Sequence, residues 1–185
     1  MALYSQLSYD LTNELDHLEK KKYGIFFTPK NIITDTIDFV LKHIDPQTIL
    51  EPSCGSGEFV KELNNRLKEK DIDAIEFNET IYDRLQHVDW HDQNTITLYE
   101  LNYLEYQSEK KYDLIIGNPP YFVMKKKDVH KKYNNYYEGR PNIFILFIVK
   151  SLWLLNNNGI LSFVIPKSFV NSIYYNKLRA FMKVK

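Results

Sequence analysis

The chain has 185 residues, of which 44% are hydrophobic and 26% charged, and its 24 basic residues balance its 24 acidic ones. This composition excludes a disordered chain, and the single cysteine excludes a disulfide framework or a cysteine-based zinc site within the chain. The longest apolar run, Ile143–Leu155, is shorter than the ~20 residues that cross a bilayer, so we expect a cytoplasmic protein rather than a membrane or secreted one.

The N-terminal segment is predicted to form one amphipathic helix. Leucines recur there at intervals of three and four residues: Leu3, Leu7, Leu11, Leu15 and Leu18. This spacing places them on one face of a helix, which must pack either against the body of the domain or against a partner chain. We therefore divide the chain into a helix at residues 1–22 and a domain at residues 23–185.

The rest of the chain alternates between predicted helices and strands. A second helix begins at Thr28, as N-cap, with Pro29 at its first position, and continues to Asp45. The strands that follow are predicted at 48–51, 72–77, 95–99, 112–117 and 159–165, and the helices at 57–70, 79–87, 142–155 and 170–182. This alternation predicts an α/β fold whose mainly parallel sheet has helices on both faces.

Two short segments rich in glycine and proline directly follow predicted strands. They are Glu51–Gly57 (EPSCGSG) and Gly117–Tyr121 (GNPPY). Because ligands bind at the carboxyl ends of parallel strands, we expect both segments to border one crevice. The first segment lacks the lysine of a phosphate-binding loop, and by itself it is equally well explained as a connector between a strand and a helix.

Glu76 ends the next predicted strand, nineteen residues after Gly57. A carboxylate at this place is well positioned to accept hydrogen bonds from two ribose hydroxyls. The alternative is a solvated acid at the end of a strand.

The second segment, Asn118–Tyr121, is the more specific signal. Two prolines at a strand end stop the ladder and fix the backbone, so Asn118 and Tyr121 point in set directions. An amide oxygen and a backbone carbonyl then form two acceptors aimed at one point, which suits an exocyclic amino group. The aromatic ring can stack on the face of a planar base.

Together these residues resemble the S-adenosylmethionine-dependent amino-methyltransferases, and among them the γ class of N6-adenine DNA methyltransferases of restriction–modification systems. The resemblance runs from about Tyr23 to the end of the chain and includes Gly24–Pro29 (GIFFTP) as the motif that precedes the cofactor loop. It implies a Rossmann-like methyltransferase fold and S-adenosylmethionine as cofactor. It also implies direct methyl transfer, without a metal, to an adenine flipped out of double-stranded DNA.

The resemblance also implies roles for individual residues. The catalytic motif is Asn118, Pro119, Pro120 and Tyr121. The cofactor-binding residues are Thr28, Glu51, Ser53, Gly55, Gly57, Glu76, Asn102, Tyr103 and Phe147. Of these, Asn102–Tyr103 takes the place of an Asp-Phe pair that reads the cofactor's adenine in the family, and Phe147 falls where an aromatic lines the adenine pocket.

A basic loop follows the catalytic motif. Between residues 121 and 140, six basic and two acidic side chains give a local charge of +4, interleaved with Tyr133, Tyr136 and Tyr137. We predict that this loop contacts phosphates and unstacked bases; the alternative is a solvated loop. The predicted DNA-binding residues are Lys125, Lys126, Lys127, Lys131, Lys132 and Arg140.

The family's sheet continues with an antiparallel hairpin and is followed by a target-recognition domain, neither of which this sequence includes. We therefore expect the chain to be the N-terminal part of a longer methyltransferase, with recognition supplied by a C-terminal domain or by a subunit in trans. Two alternatives stay open: a methyltransferase that acts on a protein glutamine or an RNA amine, and a non-catalytic fragment or subunit that binds the cofactor or a partner chain.

Overall fold

The computed structural model describes residues 3–91 and 93–184. Its centre is a five-stranded sheet in the order β3-β2-β1-β4-β5, in which every pair of neighbours is parallel. The strands are Thr48–Glu51 (β1), Asp71–Glu76 (β2), Thr95–Glu100 (β3), Tyr112–Gly117 (β4) and Leu155–Phe163 (β5).

Eight helices surround the sheet in the described part of the chain. They are Gln6–Glu14 (α1), His17–Tyr23 (α2), Lys30–Leu41 (α3), Glu58–Arg66 (α4), Glu79–Gln86 (α5), Ile143–Leu154 (α6), Ser168–Asn171 (α7) and Asn176–Met182 (α8). Short 3-10 turns lie at Tyr103–Glu105, Lys126–Asp128, Lys131–Tyr136 and Ile173–Tyr175. None of the helices described here is long and apolar enough to cross a membrane.

The sheet is covered on both faces, as predicted. Successive residues of a strand point to opposite faces, so Ile49 packs among the side chains of α1, α3, α4 and α5, while Leu50 packs with those of α6. All-parallel sheets need both faces covered, because their strands are apolar on both sides. The α/β prediction is therefore confirmed.

The strand order reverses between β1 and β4. From β1 the chain crosses to β2 and β3 on one side, and it then returns to place β4 on the other side of β1. In open α/β sheets the crevice at such a reversal lies beyond the carboxyl ends of the strands and is where ligands bind. The two segments singled out in the sequence follow β1 and β4, so both border this crevice.

The prediction of one helix over residues 1–22 is wrong, because the described residues form two helices there, with a break at Leu15 and Asp16. Leu15 is extended and Asp16 precedes α2, which ends the first helix after nine residues. Leu11 and Leu15 are buried in the core, whereas Leu18 is 72% exposed. Leu15 is buried although it is not helical, and together with Leu11 it packs the N-terminal segment against the body of the same domain.

Other helix boundaries also differ from the predictions, and α3 ends at Leu41 rather than at Asp45. Pro29, not Thr28, precedes α3, and Pro29 has an extended backbone rather than a helical one. The amide of Lys30 donates to the Leu3 carbonyl (2.9 Å), which fixes this start. Helix α4 ends at Arg66 rather than at residue 70, since Leu67 is already extended.

The predicted helix over 170–182 is broken into α7, a 3-10 turn and α8. Arg179 causes part of this arrangement, because its guanidinium donates to the carbonyls of Phe169 (2.6 Å) and Ser172 (2.9 Å). The last strand begins at Leu155, four residues earlier than predicted. A bulge separates its first pairing, with Tyr112, from the regular pairing that starts at Ile160.

Candidate active site

A pocket of about 260 Å³ lies at the carboxyl edge of the sheet. It brings together eight residues that were predicted from the sequence: Ser53, Gly55, Glu76, Asn102, Tyr103, Asn118, Pro120 and Phe147. Glu76 ends β2 and Asn118 follows β4, with β1 between them. Since neighbouring strands are ~4.8 Å apart, these two residues are separated by roughly 10 Å, and the pocket suits an elongated ligand.

Glu76 is held by three backbone donors. Its Oε1 accepts from the amides of Phe77 (2.9 Å) and Asn78 (2.8 Å), and its Oε2 accepts from the amide of Gly55 (2.8 Å). Burial raises the pKa of Glu76, and these three amides oppose that rise. The carboxylate therefore ties the glycine turn after β1 to the end of β2 and has a fixed orientation.

Glu51 is a buried carboxyl group of a different kind. Its side chain is 1% exposed, and neither of its oxygens has a hydrogen-bond partner within the described residues. Burial, and after it the charge of Glu76, raises the pKa of Glu51 well above its ordinary value, although the nearby backbone amide of Ser53 acts in the opposite direction. A carboxyl group without partners is unfavourable in a protein interior, so this arrangement fits a ligand group that carries N–H donors and a positive charge.

Glycine at the end of β4 makes room for Glu51. A Cβ atom on Gly117 would lie 2.1 Å from Glu51 Oε1, far inside van der Waals contact. Glu51 also lines a small groove, next to the main pocket, that Thr28, Ser53 and Asn118 share. Thr28 and Glu51 thus border the same groove.

Gly57 is not brought into the pocket. It opens α4 with a left-handed backbone (φ 74°), and a Cβ on it would lie 2.8 Å from the Trp90 ring and 2.9 Å from Leu85. Its contacts in the structure are therefore with the core beneath the turn.

The aromatic end of the pocket is formed by Tyr103 and Phe147, whose ring centres are 4.8 Å apart. The Tyr103 hydroxyl lies 2.9 Å from Ser151 Oγ and points into the core. Asn102 caps its own turn: its Oδ1 accepts from the Leu104 amide (3.0 Å) and its Nδ2 donates to Glu105 (3.2 Å). The side-chain amide of Asn102, to which the resemblance assigns the cofactor's adenine, is thus already hydrogen-bonded within its own turn.

Asn118 is fixed by a segment that precedes α3. Its Nδ2 donates to the Phe26 carbonyl (2.9 Å), which determines where Oδ1 points. The Ser53 hydroxyl donates to the Asn118 carbonyl (3.2 Å). A Cβ on Gly24, whose φ is +64°, would lie 2.6 Å from the Tyr121 nitrogen, so the backbone at Gly24 is pressed against the Asn118–Tyr121 segment.

Tyr121 contacts the same amide. Its hydroxyl lies within hydrogen-bond distance of both Asn118 Oδ1 and the Val164 carbonyl, to which it can donate its single hydrogen. Burial raises the pKa of this hydroxyl, which keeps it protonated. The ring is half-buried, with centres 6.1 Å from Phe26 and 6.2 Å from Phe144.

In the basic loop the charged side chains are exposed to solvent, whereas the tyrosines pack against the protein. All six predicted DNA-binding residues are exposed. The interpretation of the loop tyrosines as base contacts is wrong, because Tyr133 and Tyr137 are buried and Tyr136 packs 4.6 Å from the Phe181 ring. Tyr133 stacks on Trp153 at 5.4 Å and so anchors the loop to α6.

The sequence analysis names Gly24–Pro29 as a motif but assigns no site role to Ile25, Phe26 and Phe27, which line the pocket. Of these, Phe26 orients Asn118 through its carbonyl. The signal in the sequence was the aromatic pair Phe26–Phe27, directly before the Thr-Pro dipeptide. In the structure Phe26 is 61% exposed. Across the residues that the structure describes, no group of three or more His, Cys, Asp or Glu side chains could hold a metal ion.

Comparison with known sequences matches residues 9–185 to the Eco57I restriction-modification methylase family. The chain is 31% identical to the modification methylase CviBIII of Paramecium bursaria Chlorella virus NC1A, over 95% of this chain and 46% of that protein. It is 30% identical to the type II methyltransferase M.AccI of Acinetobacter calcoaceticus, over 94% of this chain and 33% of that protein. The chain thus spans between a third and a half of the length of these relatives.

Comparison with solved structures agrees on the fold. A protein from Listeria monocytogenes described as a class I S-adenosylmethionine-dependent methyltransferase superposes with a TM-score of 0.72 at 19% sequence identity. The match covers 96% of this chain and 58% of that protein. The predicted Rossmann-like methyltransferase fold is therefore confirmed.

Proposed function

We propose that this chain, which belongs to the Eco57I restriction-modification methylase family, is the part of a DNA methyltransferase that binds S-adenosylmethionine and transfers its methyl group to the N6 amino group of adenine. S-adenosylmethionine is the cofactor of this family, and it supplies an electrophilic methyl group. The finer assignments, to adenine and to individual residues, rest on the arguments that follow.

The observation that carries the proposal is the unpartnered, buried carboxyl group of Glu51 beside a pocket that reaches Asn118. The methionine end of the cofactor carries an ammonium group, which offers N–H donors and a positive charge to such a carboxylate. Glu76, held by three amides, retains free lone pairs for ribose hydroxyls. Tyr103 and Phe147 offer aromatic surface to the cofactor's adenine.

Asn118 and Pro119 would act on the amino group that accepts the methyl. The exocyclic nitrogen of adenine is a poor nucleophile because its lone pair is delocalised into the ring. Asn118 Oδ1, fixed through the Phe26 carbonyl, and the Pro119 carbonyl would accept the two hydrogens of that nitrogen and draw it towards tetrahedral geometry. Rigid acceptors aimed at a developing positive charge lower the barrier by electrostatic preorganisation.

The Tyr121 hydroxyl need not prevent this step. An amide oxygen has two lone pairs, so Asn118 Oδ1 can accept from Tyr121 and from the substrate amine together. Val164 provides a second acceptor if the hydroxyl turns away. The Tyr121 ring would then cover one face of the flipped base, and the exposed lysines of the loop would approach the phosphates.

Two assays test this proposal. Calorimetric titration should show that S-adenosylmethionine binds to the chain. Incubation with the tritiated-methyl cofactor should label unmethylated DNA more than bulk tRNA or a release-factor-like protein, and mass spectrometry of the hydrolysed DNA should identify N6-methyladenine.

Three results would contradict the proposal in different ways. Labelling of RNA or of protein glutamine instead of DNA would move the chain to another amino-methyltransferase class. Cofactor binding without transfer to any of the three would favour a cofactor-binding fragment. Stable association with a partner chain and no cofactor binding would favour a non-catalytic subunit.

A further inference from the structure

Lys150 is the only charged residue of α6, a helix that is otherwise apolar except for Ser151. Its side chain is 5% exposed, whereas lysines are rarely buried unless a partner compensates for the lost water. Burial, and after it the charge of Lys132, lowers the pKa of Lys150 to about 8, against a smaller opposing effect of Glu105. An apolar side chain would fill this place without that penalty, so the lysine occupies a position that is unfavourable for its charge.

The ammonium group of Lys150 contacts the turn that carries Tyr103. Its Nζ donates to the carbonyl of Tyr106, the residue that ends the 3-10 turn Tyr103–Glu105. The same Nζ lies 5.0 Å from the centre of the Tyr103 ring and 6.0 Å from that of Tyr106. A cation at these distances is attracted to an aromatic face. Lys150 therefore joins this turn to α6 through a hydrogen bond and through two ring contacts.

Two further residues of α6 hold the same turn. Phe147 lies three residues before Lys150 and four before Ser151, a spacing that places the three side chains towards one side of the helix. The Phe147 ring centre is 4.8 Å from that of Tyr103, and Ser151 Oγ is 2.9 Å from the Tyr103 hydroxyl. Tyr103 is thereby fixed at its ring and at its hydroxyl, and Lys150 fixes the backbone that follows it.

Lys150 does not line the cofactor pocket, although residues that it holds do. The described wall of the pocket includes Tyr103 and Phe147 but not Lys150. The lysine can therefore influence a bound ligand only through the position and the electrostatic surroundings of the turn. In this it differs from Glu76, whose carboxyl group borders the pocket itself.

We propose that Lys150, in its charged form, is a positioning residue for the adenine end of the cofactor, because it holds the turn of Tyr103 against α6 in the geometry that the ligand requires. This inference rests on the proposed function, which assigns the Tyr103–Phe147 end of the pocket to the cofactor's adenine. The buried charge makes the free protein less stable and makes the pocket better suited to its ligand.

The test uses the full chain and methylthioadenosine, the adenosine thioether that lacks the amino-acid part of the cofactor. Its binding reports on the adenine end of the pocket alone. Calorimetry gives the affinities for this probe and for S-adenosylmethionine, and thermal unfolding gives the stability of each variant. Lys150→Met is compared with Lys110→Met, because Lys110 also lies over a tyrosine ring (Tyr112, 5.3 Å) and contacts the buried Asp73 (2.8 Å), but does not line the pocket.

We expect the two variants to change opposite properties. Lys150→Met should weaken methylthioadenosine binding about tenfold at neutral pH, the usual size for loss of a charged hydrogen bond. Its unfolding midpoint should be no lower than that of the wild type, because a buried charge is removed. Lys110→Met should lower the midpoint, since Asp73 loses a partner while it stays buried, and should bind the probe within about twofold of the wild type.

A pH profile separates positioning from mere packing. Wild-type affinity for methylthioadenosine should fall several-fold between about pH 7 and about pH 9.5, as Lys150 loses its proton, whereas Lys150→Met should bind equally across that range. The other titratable groups around Lys150 are Tyr103, Glu105 and Tyr106 of the turn and Lys132 and Tyr133 of the basic loop. Strand β5, which also packs on α6, has none. The Met variant keeps all of these groups and so controls for them.

Three results would overturn the inference. Equal probe affinity of Lys150→Met and the wild type at neutral pH, or equal pH profiles, would show that Lys150 has no positioning role, and the proposed function would stand. A loss of unfolding midpoint in Lys150→Met as large as in Lys110→Met would show that Lys150 only stabilises the fold. If the wild type binds neither methylthioadenosine nor S-adenosylmethionine, this inference and the cofactor part of the proposed function both fail.

Discussion

Buried carboxyl groups have opposite surroundings at the two ends of the parallel strands, which are the amino edge and the carboxyl edge of the sheet. Near the amino edge, Asp73 is 2% exposed and accepts from Lys110 Nζ (2.8 Å) and the Tyr112 hydroxyl (2.6 Å). At the carboxyl edge, Glu51 is 1% exposed and has no described partner. Both side chains come from neighbouring central strands, so the difference lies in what surrounds them and not in depth.

This difference indicates that the amino edge contributes to the stability of the fold and that the carboxyl edge is suited to bind a ligand. A buried charge with its partners in place is tolerated, whereas one without partners is unfavourable until something else supplies them. The amino edge supplies its own lysine and hydroxyl. At the carboxyl edge the Glu51 carboxyl group has no such partner. Substitutions there should change binding and catalysis more than stability. Substitutions at the amino edge should change stability more than binding.

The largest effect is expected for Asn118→Ala, which removes the proposed acceptor for the substrate amine. Methyl transfer should fall by about 100- to 1,000-fold, the usual size for loss of one preorganised hydrogen-bond group. Radiolabel incorporation measures this, with Asn31→Ala, an exposed residue of α3, as control. Transfer within threefold of the wild type would remove Asn118 from the mechanism.

Gly117→Ala tests whether the position of Glu51 matters for binding. The added methyl group would meet Glu51 Oε1 at 2.1 Å and displace the carboxyl group. We expect the affinity for S-adenosylmethionine to fall by about tenfold or more, as for loss of a charged hydrogen bond. Gly139→Ala is the matched control, since Gly139 also has a positive φ but no atom within 4 Å of its Cβ position. Equal cofactor affinities for the two variants would contradict the account.

Asp73→Asn tests the opposite edge. It weakens a buried, paired carboxylate, so the free energy of unfolding should fall by about 2 kcal/mol while cofactor affinity stays the same. Asp71→Asn is the control, because Asp71 contacts the same Lys110 (2.8 Å) but its side chain is 45% exposed, and the expected loss is below ~1 kcal/mol. Denaturant unfolding measures both, and similar losses would mean that burial does not distinguish the two carboxylates.

The smallest effect is expected from the basic loop. Lys125–Lys127→Glu should weaken DNA binding several-fold and flatten its salt dependence without changing cofactor affinity, because these side chains are exposed. The control reverses three exposed lysines elsewhere: Lys42, Lys61 and Lys68. A parallel loss of cofactor affinity would show that the loop is a folding element.

The parts of the fold that the sequence predicts well are those fixed by local pattern. Strands β1 and β4 match their predicted bounds because each is a short apolar run that ends at a glycine- or proline-rich turn. The pocket at their ends follows from the parallel topology, since the carboxyl ends of neighbouring strands must share an edge.

The parts that the sequence does not reveal depend on distant contacts. The break between α1 and α2 requires the core that receives Leu15. The break before α8 requires the carbonyls of Phe169 and Ser172, which lie ten and seven residues before Arg179, beyond the reach of a helical repeat. Tyr133 and Tyr137 are four residues apart, a spacing that could have indicated one buried face. No pattern distinguishes Glu51 from Glu76, because the difference is the number of amides that meet each one in the folded chain.

The most direct test is thermal unfolding of the wild type and of Glu51→Gln, each with and without S-adenosylmethionine. Because the folded-state pKa of Glu51 is raised, its ionisation destabilises the free protein as pH rises, so the Gln variant should gain stability relative to the wild type at higher pH. Glu109→Gln, at an exposed residue just before β4, is the control for the substitution itself.

Cofactor at about 100 times its dissociation constant should stabilise the wild type by about 2.7 kcal/mol, or roughly 5–10 °C. We predict that the same concentration raises the midpoint of Glu51→Gln by less than half of that amount. Equal shifts in the two proteins, together with equal pH dependence, would contradict the claim that Glu51 is the open acceptor for the cofactor.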